Sequence, residues 1–217
     1  LMDRHEVTNA EYKRFVDAGG YEKPDYWKYP FVRDGRTLSW DDAMALFVDA
    51  TGRPGPATWE VGDYAGGRDD YPVCGISWFE AAAYAEFAGK SLPTLYHWDR
   101  VALTWASGQI VPLSNMGSDG PVPVGSTDGA NRFGVSDMAG NVREWCFNES
   151  SRLGRFILGG GWSDPPYGFN DAYAQSPFDR QETNGVRCIK YLPGTDNRAG
   201  LERPVEMPYR DFMTEPV

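Results

Sequence analysis

Asp137 and Glu144 stand at i and i+7 around Gly140, in the run Asp137-Met138-Ala139-Gly140-Asn141-Val142-Arg143-Glu144-Trp145. Two oxygen-ligand side chains flanking a glycine turn make a site and a scaffold in one stretch. The competing reading is that both carboxylates cap turns around a packed Trp145. A second run, Leu158-Gly159-Gly160-Gly161-Trp162, lets a backbone approach closely just before a large ring. Beyond it, Ser163 to Arg180 alternates aromatic and polar side chains. With Trp162, the rings of Tyr167, Phe169, Tyr173 and Phe178 offer a stacking surface, and Asp164, Asn170, Asp171 and Arg180 supply hydrogen bonds. Equally, those rings can simply fill a core.

The elements that must position these residues differ between the two halves. Thr8 and Glu11 form a capping box ahead of a helix from Asn9, with Tyr12, Phe15 and Val16 on one face and Gly19-Gly20 as its stop. Ser39 caps a second predicted helix over 41–50, ended by Gly52. Ser77 and Glu80 repeat the box before an alanine-rich helix stopped by Gly89, and Leu92-Pro93-Thr94 starts the next helix through Trp98 and Val101. From Gln109 onward the apolar residues come in short runs, Ile110 to Leu113, Pro121 to Val124 and Phe156 to Leu158, separated by turn formers, which predicts irregular antiparallel β. The class is α+β.

Length and composition set the bounds. The 217 residues suffice for one core, and no compositional break divides them. With 25 glycines, 16 prolines and 8 tryptophans, loops are abundant and large planar rings must fill the interior. A net charge of −10 without a basic stripe disfavours nucleic acid and anionic lipid. Three separated cysteines allow neither a zinc ribbon nor a CxxC redox motif. No apolar run is long enough for direct membrane insertion, and no targeting segment is evident, so the chain reads as a soluble domain whose compartment is open. Leu1-Met2-Asp3 looks like a mid-strand start, which suggests a domain excised from a larger protein. The expected boundaries are 1–200 for the domain and 201–217 for a C-terminal extension or linker.

Four blocks, Glu6-Val7-Thr8-Asn9, Pro72 to Trp78 with its alanine-rich helix, Ala88 to Thr94, and the Asp137, Gly159 and Gly185-Val186-Arg187-Cys188 motifs, occur in an order that resembles the formylglycine-generating, sulfatase-modifying factor family. The resemblance implies that family's fold, a variant of the C-type lectin fold with much irregular structure. The stretches Asp17 to Tyr21, Phe31 to Trp40 and Arg53 to Trp59 look like the version found in large bacterial signalling proteins linked to serine/threonine kinases. No kinase motif is present in these residues.

Carried over, the family's calcium set falls on the Asp137 side chain, the carbonyls of Gly140 and Val142, and Glu144. A second calcium set would begin at Asn115 and the Met116 carbonyl, with Asp119 as a further ligand. The family's oxidase chemistry needs a cysteine pair just after the glycine-tryptophan block to bind copper(I), for which soft thiolates are the apt ligands. Here those two places hold Asp164 and Phe169, so no copper is expected. Iron enzymes on this fold need three histidines; this chain has two, His5 and His97, so no iron is expected either. His97 is read as a helix-cap or core residue. Cys188 is read as a buried free thiol, because Ala85 stands at its usual partner's place. The expected function is a non-catalytic module that binds a protein or small-molecule ligand; the alternative is an enzyme of altered chemistry in the same groove.

Overall fold

The computed structural model describes residues 1–102, 107–150, 154–170, 173–194 and 198–205. Both capping boxes close as expected. Thr8 Oγ accepts the Glu11 N–H at 3.2 Å while Glu11 accepts the Thr8 N–H at 3.0 Å, starting α1 (Asn9–Asp17). Ser77 and Glu80 repeat this at 3.2 and 2.8 Å and start α3 (Trp78–Phe87). This helix is buried from Trp78 through Ala85, and its small side chains let neighbours come close: Tyr84 stacks on Tyr12 of α1 at 5.2 Å.

Between those helices lie a two-stranded hairpin, β1 (Val32–Arg33) with β2 (Arg36–Thr37), and α2 (Trp40–Met44). Ser39 caps α2 as predicted, yet the helix stops well short of residue 50. Phe47 turns inward, stacking on Trp27 at 5.4 Å, and the Asp49 carboxylate accepts N–H bonds from Thr51, Arg53 and Gly62, which organises a loop instead of a further helical turn. Next comes α4 (Leu95–Ala102), whose start is held by Thr94 and His97: Thr94 Oγ lies 2.7 Å from His97 Nδ1. His97 is therefore a capping residue, as expected.

Residues 107–113 form α5 (Ser107–Ile110) and a 3-10 turn (Val111–Leu113), not the β segment predicted for Ile110 to Leu113. Pro112 inside that run removes a ladder donor, which explains the failure of a strand there. The second sheet consists of β3 (Arg143–Ser150), β4 (Gly154–Leu158), β5 (Ala174–Gln175) and β6 (Asn184–Gly185), in the spatial order β5-β4-β3-β6. β3 runs antiparallel to β4 and parallel to β6. Glu144 sits opposite Leu158 in this register, which brings the Asp137 turn beside the glycine run.

Two apolar clusters flank the sheet, one built on α1 and α3 with Trp145 and Ile157, the other on Trp98, Met138, Phe156 and Phe169. Each fully buried large side chain contributes about 1.5–3 kcal/mol. α6 (Arg198–Leu201) and the residues after it are tied to β3, since Asn148 Nδ2 donates to the carbonyls of Leu201 and Arg203 at 2.7 and 2.9 Å. Residues 206–217, most of the expected extension, lie outside the described residues. All three cysteines are free and buried, Cys188 included. No described helix is long and apolar enough to cross a membrane.

Candidate functional site

The Asp137 turn is tightly determined. Asp137 (φ 58°), Gly140 (φ 74°) and Asn141 (φ 57°) all take left-handed backbone, which Asp, Asn and Gly tolerate best. A side chain at 140 would meet the Asn115 carbonyl at 2.2 Å, so only glycine fits. Asn141 then joins three segments: its N–H donates to the Asn115 carbonyl at 2.8 Å, its Oδ1 accepts from Val122 N–H at 3.0 Å, and its Nδ2 donates to Glu6 at 3.2 Å.

Both carboxylates of the expected calcium set are committed to protein donors. Asp137 accepts the Gly125 N–H at 2.5 Å and the Thr127 hydroxyl at 2.8 Å. Glu144 takes Arg187 Nε at 2.9 Å and Nη2 at 2.7 Å on one oxygen, and the Trp98 indole N–H at 2.9 Å on the other. Arg187 is wholly buried and also donates to the Ser136 carbonyl at 2.8 Å. A cation held by Glu144 would lie against a guanidinium already paired to the same carboxylate, so these residues do not fit calcium as the resemblance placed it. The turn-capping alternative describes Asp137, and a buried ion pair describes Glu144. Gly140 and Val142 serve as backbone of the same turn, Gly140 N–H donating to the Gly159 carbonyl at 2.9 Å.

Glu6 lies beside this pair. Burial pushes its carboxyl well above the usual carboxylate range; Arg187 opposes the shift, and Asp137 and Glu144 reinforce it. Its Oε2 has no hydrogen-bond partner. Burial of a charge without a full set of partners is what raises an acid in this way.

The second expected calcium set is a loop brace. Asn115 Nδ2 donates to the Gly120 carbonyl at 3.0 Å, and its Oδ1 accepts the Ser118 hydroxyl at 2.7 Å, while the exposed Asp119 lies on the same loop. This loop docks on the segment after the glycines: Gly117 N–H donates to the Asp164 carbonyl at 2.9 Å and Ser118 N–H to the Trp162 carbonyl at 2.8 Å. Met116 packs partly buried against the second apolar cluster.

The expected binding segment splits in two. Phe169 is 1% exposed and sits 5.9 Å from Trp98, in the core. Phe178 stacks on Phe47 at 6.2 Å. Arg180 is consumed by Glu80 (2.8 and 2.9 Å) and by the carbonyls of Leu46, Val48 and Gly55. Phe169 and Arg180 are held within the chain, which corrects their expected place on a binding surface, and Phe178 is partly buried against the first apolar cluster. By contrast, Tyr167 is 71% and Tyr173 40% exposed. Asp164, on the same segment, is tied to the scaffold, accepting Arg143 Nη2 at 2.8 Å and the Gly161 N–H at 2.5 Å. The Asn170 side chain and Asp171 lie outside the described residues.

Arg143 is a residue the sequence reading did not single out. Its guanidinium lies 4.3 Å over the Tyr173 ring, its Nε is buried without an acceptor, and it sits next to Glu144 on the strand, pointing to the opposite face by the period-two rule. That alternation was the available signal. Trp162, half-buried, also walls a cavity of about 260 Å³ whose other walls come from the Asn9 to Cys74 region, Pro121 and Glu182.

A family model described as a sulfatase-modifying factor enzyme 1-like domain matches residues 1–192. The chain is 29% identical to a hercynine oxygenase of Mycolicibacterium smegmatis, over 86% of this chain and 51% of that one. It is 32% identical to the serine/threonine-protein kinase pkn1 of Chlamydia caviae, over 67% of this chain and 22% of the kinase. The chain therefore spans about half of the one relative and about a fifth of the other. Among solved structures, the crystal structure of CarF superimposes with a TM-score of 0.56 at 18% identity, over 88% of this chain and 85% of CarF, a likeness of fold.

Proposed function

The chain belongs to the sulfatase-modifying factor enzyme 1-like family, and from that premise we propose that it is a non-catalytic module that binds a protein or small-molecule ligand within a longer signalling chain. One observation carries the reading. At the two places where the resemblance calls for copper-binding thiolates stand Asp164, locked to Arg143 and Gly161, and Phe169, buried against Trp98. Neither is a soft ligand.

The remaining thiols support this. Burial pushes Cys74 up to about 12, and Cys146 and Cys188 upward as well, so none is a ready thiolate. What stays exposed is suited to contact: Tyr167 and Tyr173, beside the part-buried Asp164–Arg143 pair, whose backbone the Asn115 loop holds. Rings fixed at low rotamer entropy beside a charged pair are the composition of a recognition surface. The match to part of a kinase-bearing protein supports a place in signalling.

The test is incubation of the purified domain with a cysteine-containing sulfatase peptide, copper and a reductant, followed by mass spectrometry of the peptide. No aldehyde is expected. Conversion of the cysteine to formylglycine would overturn the proposal.

A further inference from the structure

The cavity beside Trp162 has polar groups in its walls that the chain leaves over. Its aromatic lining is Trp59, Tyr64, Tyr71 and Trp162, with Arg68 and Glu182 exposed at the mouth. Most wall polar groups are already satisfied: the Trp59 indole N–H donates to Asn9 Oδ1 at 3.1 Å, and the Tyr64 hydroxyl to Asp69 at 3.1 Å. Three groups are not. The Arg68 guanidinium rests 4.1 Å over the Tyr71 ring and, like the Glu182 carboxylate, has no hydrogen bond or ion pair among the described residues. The Trp162 indole N–H is buried without an acceptor.

One charge of each sign at the mouth of an aromatic cavity selects against ligands of a single charge, because either sign meets a like charge as well as an opposite one. A compound carrying both charges on one end, with a flat apolar body behind them, meets both charges and the aromatic walls. We propose that this cavity binds one free aromatic α-amino acid as its zwitterion, with the carboxylate on Arg68, the ammonium on Glu182 and the ring against the aromatic walls. Guanidinium–carboxylate pairing is the stronger of the two polar contacts, since it can be bidentate. A volume of about 260 Å³ lies below the range of drug-sized pockets, which matches a single amino acid and not a folded peptide. Cys74 on the same wall is held as the thiol by burial, so the cavity binds without covalent capture.

This inference rests on the reading of the domain as a binding module but uses residues outside the Asp164–Tyr173 face, Trp162 alone being near both. The test is calorimetric titration of the full chain with L-phenylalanine, L-phenylalaninamide, which lacks the carboxylate, and N-acetyl-L-phenylalanine, which lacks the ammonium. Phenylalanine is expected to saturate one site, and each blocked compound to bind about tenfold or more weakly. Arg68→Gln should bring the free amino acid down to the level of its amide, and Glu182→Gln to that of the acetyl compound, both with unchanged melting temperature because the two side chains are exposed. Absence of saturable heat with phenylalanine at millimolar concentration, or equal binding of the three compounds, would overturn the assignment. Failed titration without aldehyde formation removes this site and leaves the binding-module reading; aldehyde formation removes that reading whatever the titration gives.

Discussion

Arg180 and Arg68 mark two regions built from the same residue types to opposite ends. Around Arg180 every donor has a partner: Glu80 takes two, and the carbonyls of Leu46, Val48 and Gly55 take the rest, while Tyr21 adds its hydroxyl to Glu80 at 2.7 Å. Around Arg68, Trp162 and Glu182 the same kinds of group face a cavity with donors and an acceptor to spare. Glu144 with Arg187 belongs to the first kind, and the Arg143–Tyr173 face to the second. Residue type therefore does not tell structure from recognition; saturation within the chain does.

Breaking a saturated centre should be the largest effect. Arg187→Met leaves Glu144 buried with only the Trp98 N–H, and about 3–5 kcal/mol should be lost in a urea melt. A loss under about 1 kcal/mol would mean that the centre is not saturated in solution. Removing the whole pair with Glu144→Gln and Arg187→Met together should recover part of that loss, since no lone charge then remains buried.

Glu6 sharpens the comparison through pH. Its folded-state carboxyl is raised, mainly by burial, so the folded state holds a proton that the unfolded chain has released. That contribution is full below the unfolded carboxylate value and is lost as pH rises through the raised one. Stability of the protein should therefore fall from about pH 4.3 upward by a component that disappears in Glu6→Gln. Denaturant midpoints measured across that window for both proteins check it; parallel pH profiles would contradict the assignment.

Calcium addresses the same region. Because Asp137 and Glu144 already hold protein donors, excess calcium is expected to leave the melting midpoint where chelator leaves it. An upward shift would mean that a cation displaces those donors in the native state. The smallest effect belongs to the exposed face: Tyr167→Ala and Tyr173→Ala should each change stability by no more than about 0.5 kcal/mol. A substantial loss from Tyr173→Ala in the same melt would place its contact with Arg143 among the saturated centres.

Much of the scaffold was legible because its signals are local. Thr8 with Glu11 and Ser77 with Glu80 are three residues apart, so the boxes could be read directly, and Thr94 with His97 follows the same spacing. The end of α2 was not, since Phe47 answers to Trp27, twenty positions away, and not to helical period. The candidate site was half legible. Asp164, Tyr167 and Tyr173 were found from their segment, but Phe169, Phe178 and Arg180 share its alternation and are held by Trp98, Phe47 and Glu80 from distant elements. Of the cavity only Trp162 was expected in a binding role, as Trp59, Arg68 and Glu182 join it only through the fold.

The central claim is that the cysteine-pair positions hold a carboxylate paired to Arg143 and a buried ring, and it is tested most directly by a cuprous-ion competition titration of the purified domain. The account predicts that a thiolate-strength chelator keeps all the copper. One equivalent of copper(I) retained by the domain, accompanied by oxygen uptake when a cysteine peptide is added, would contradict it.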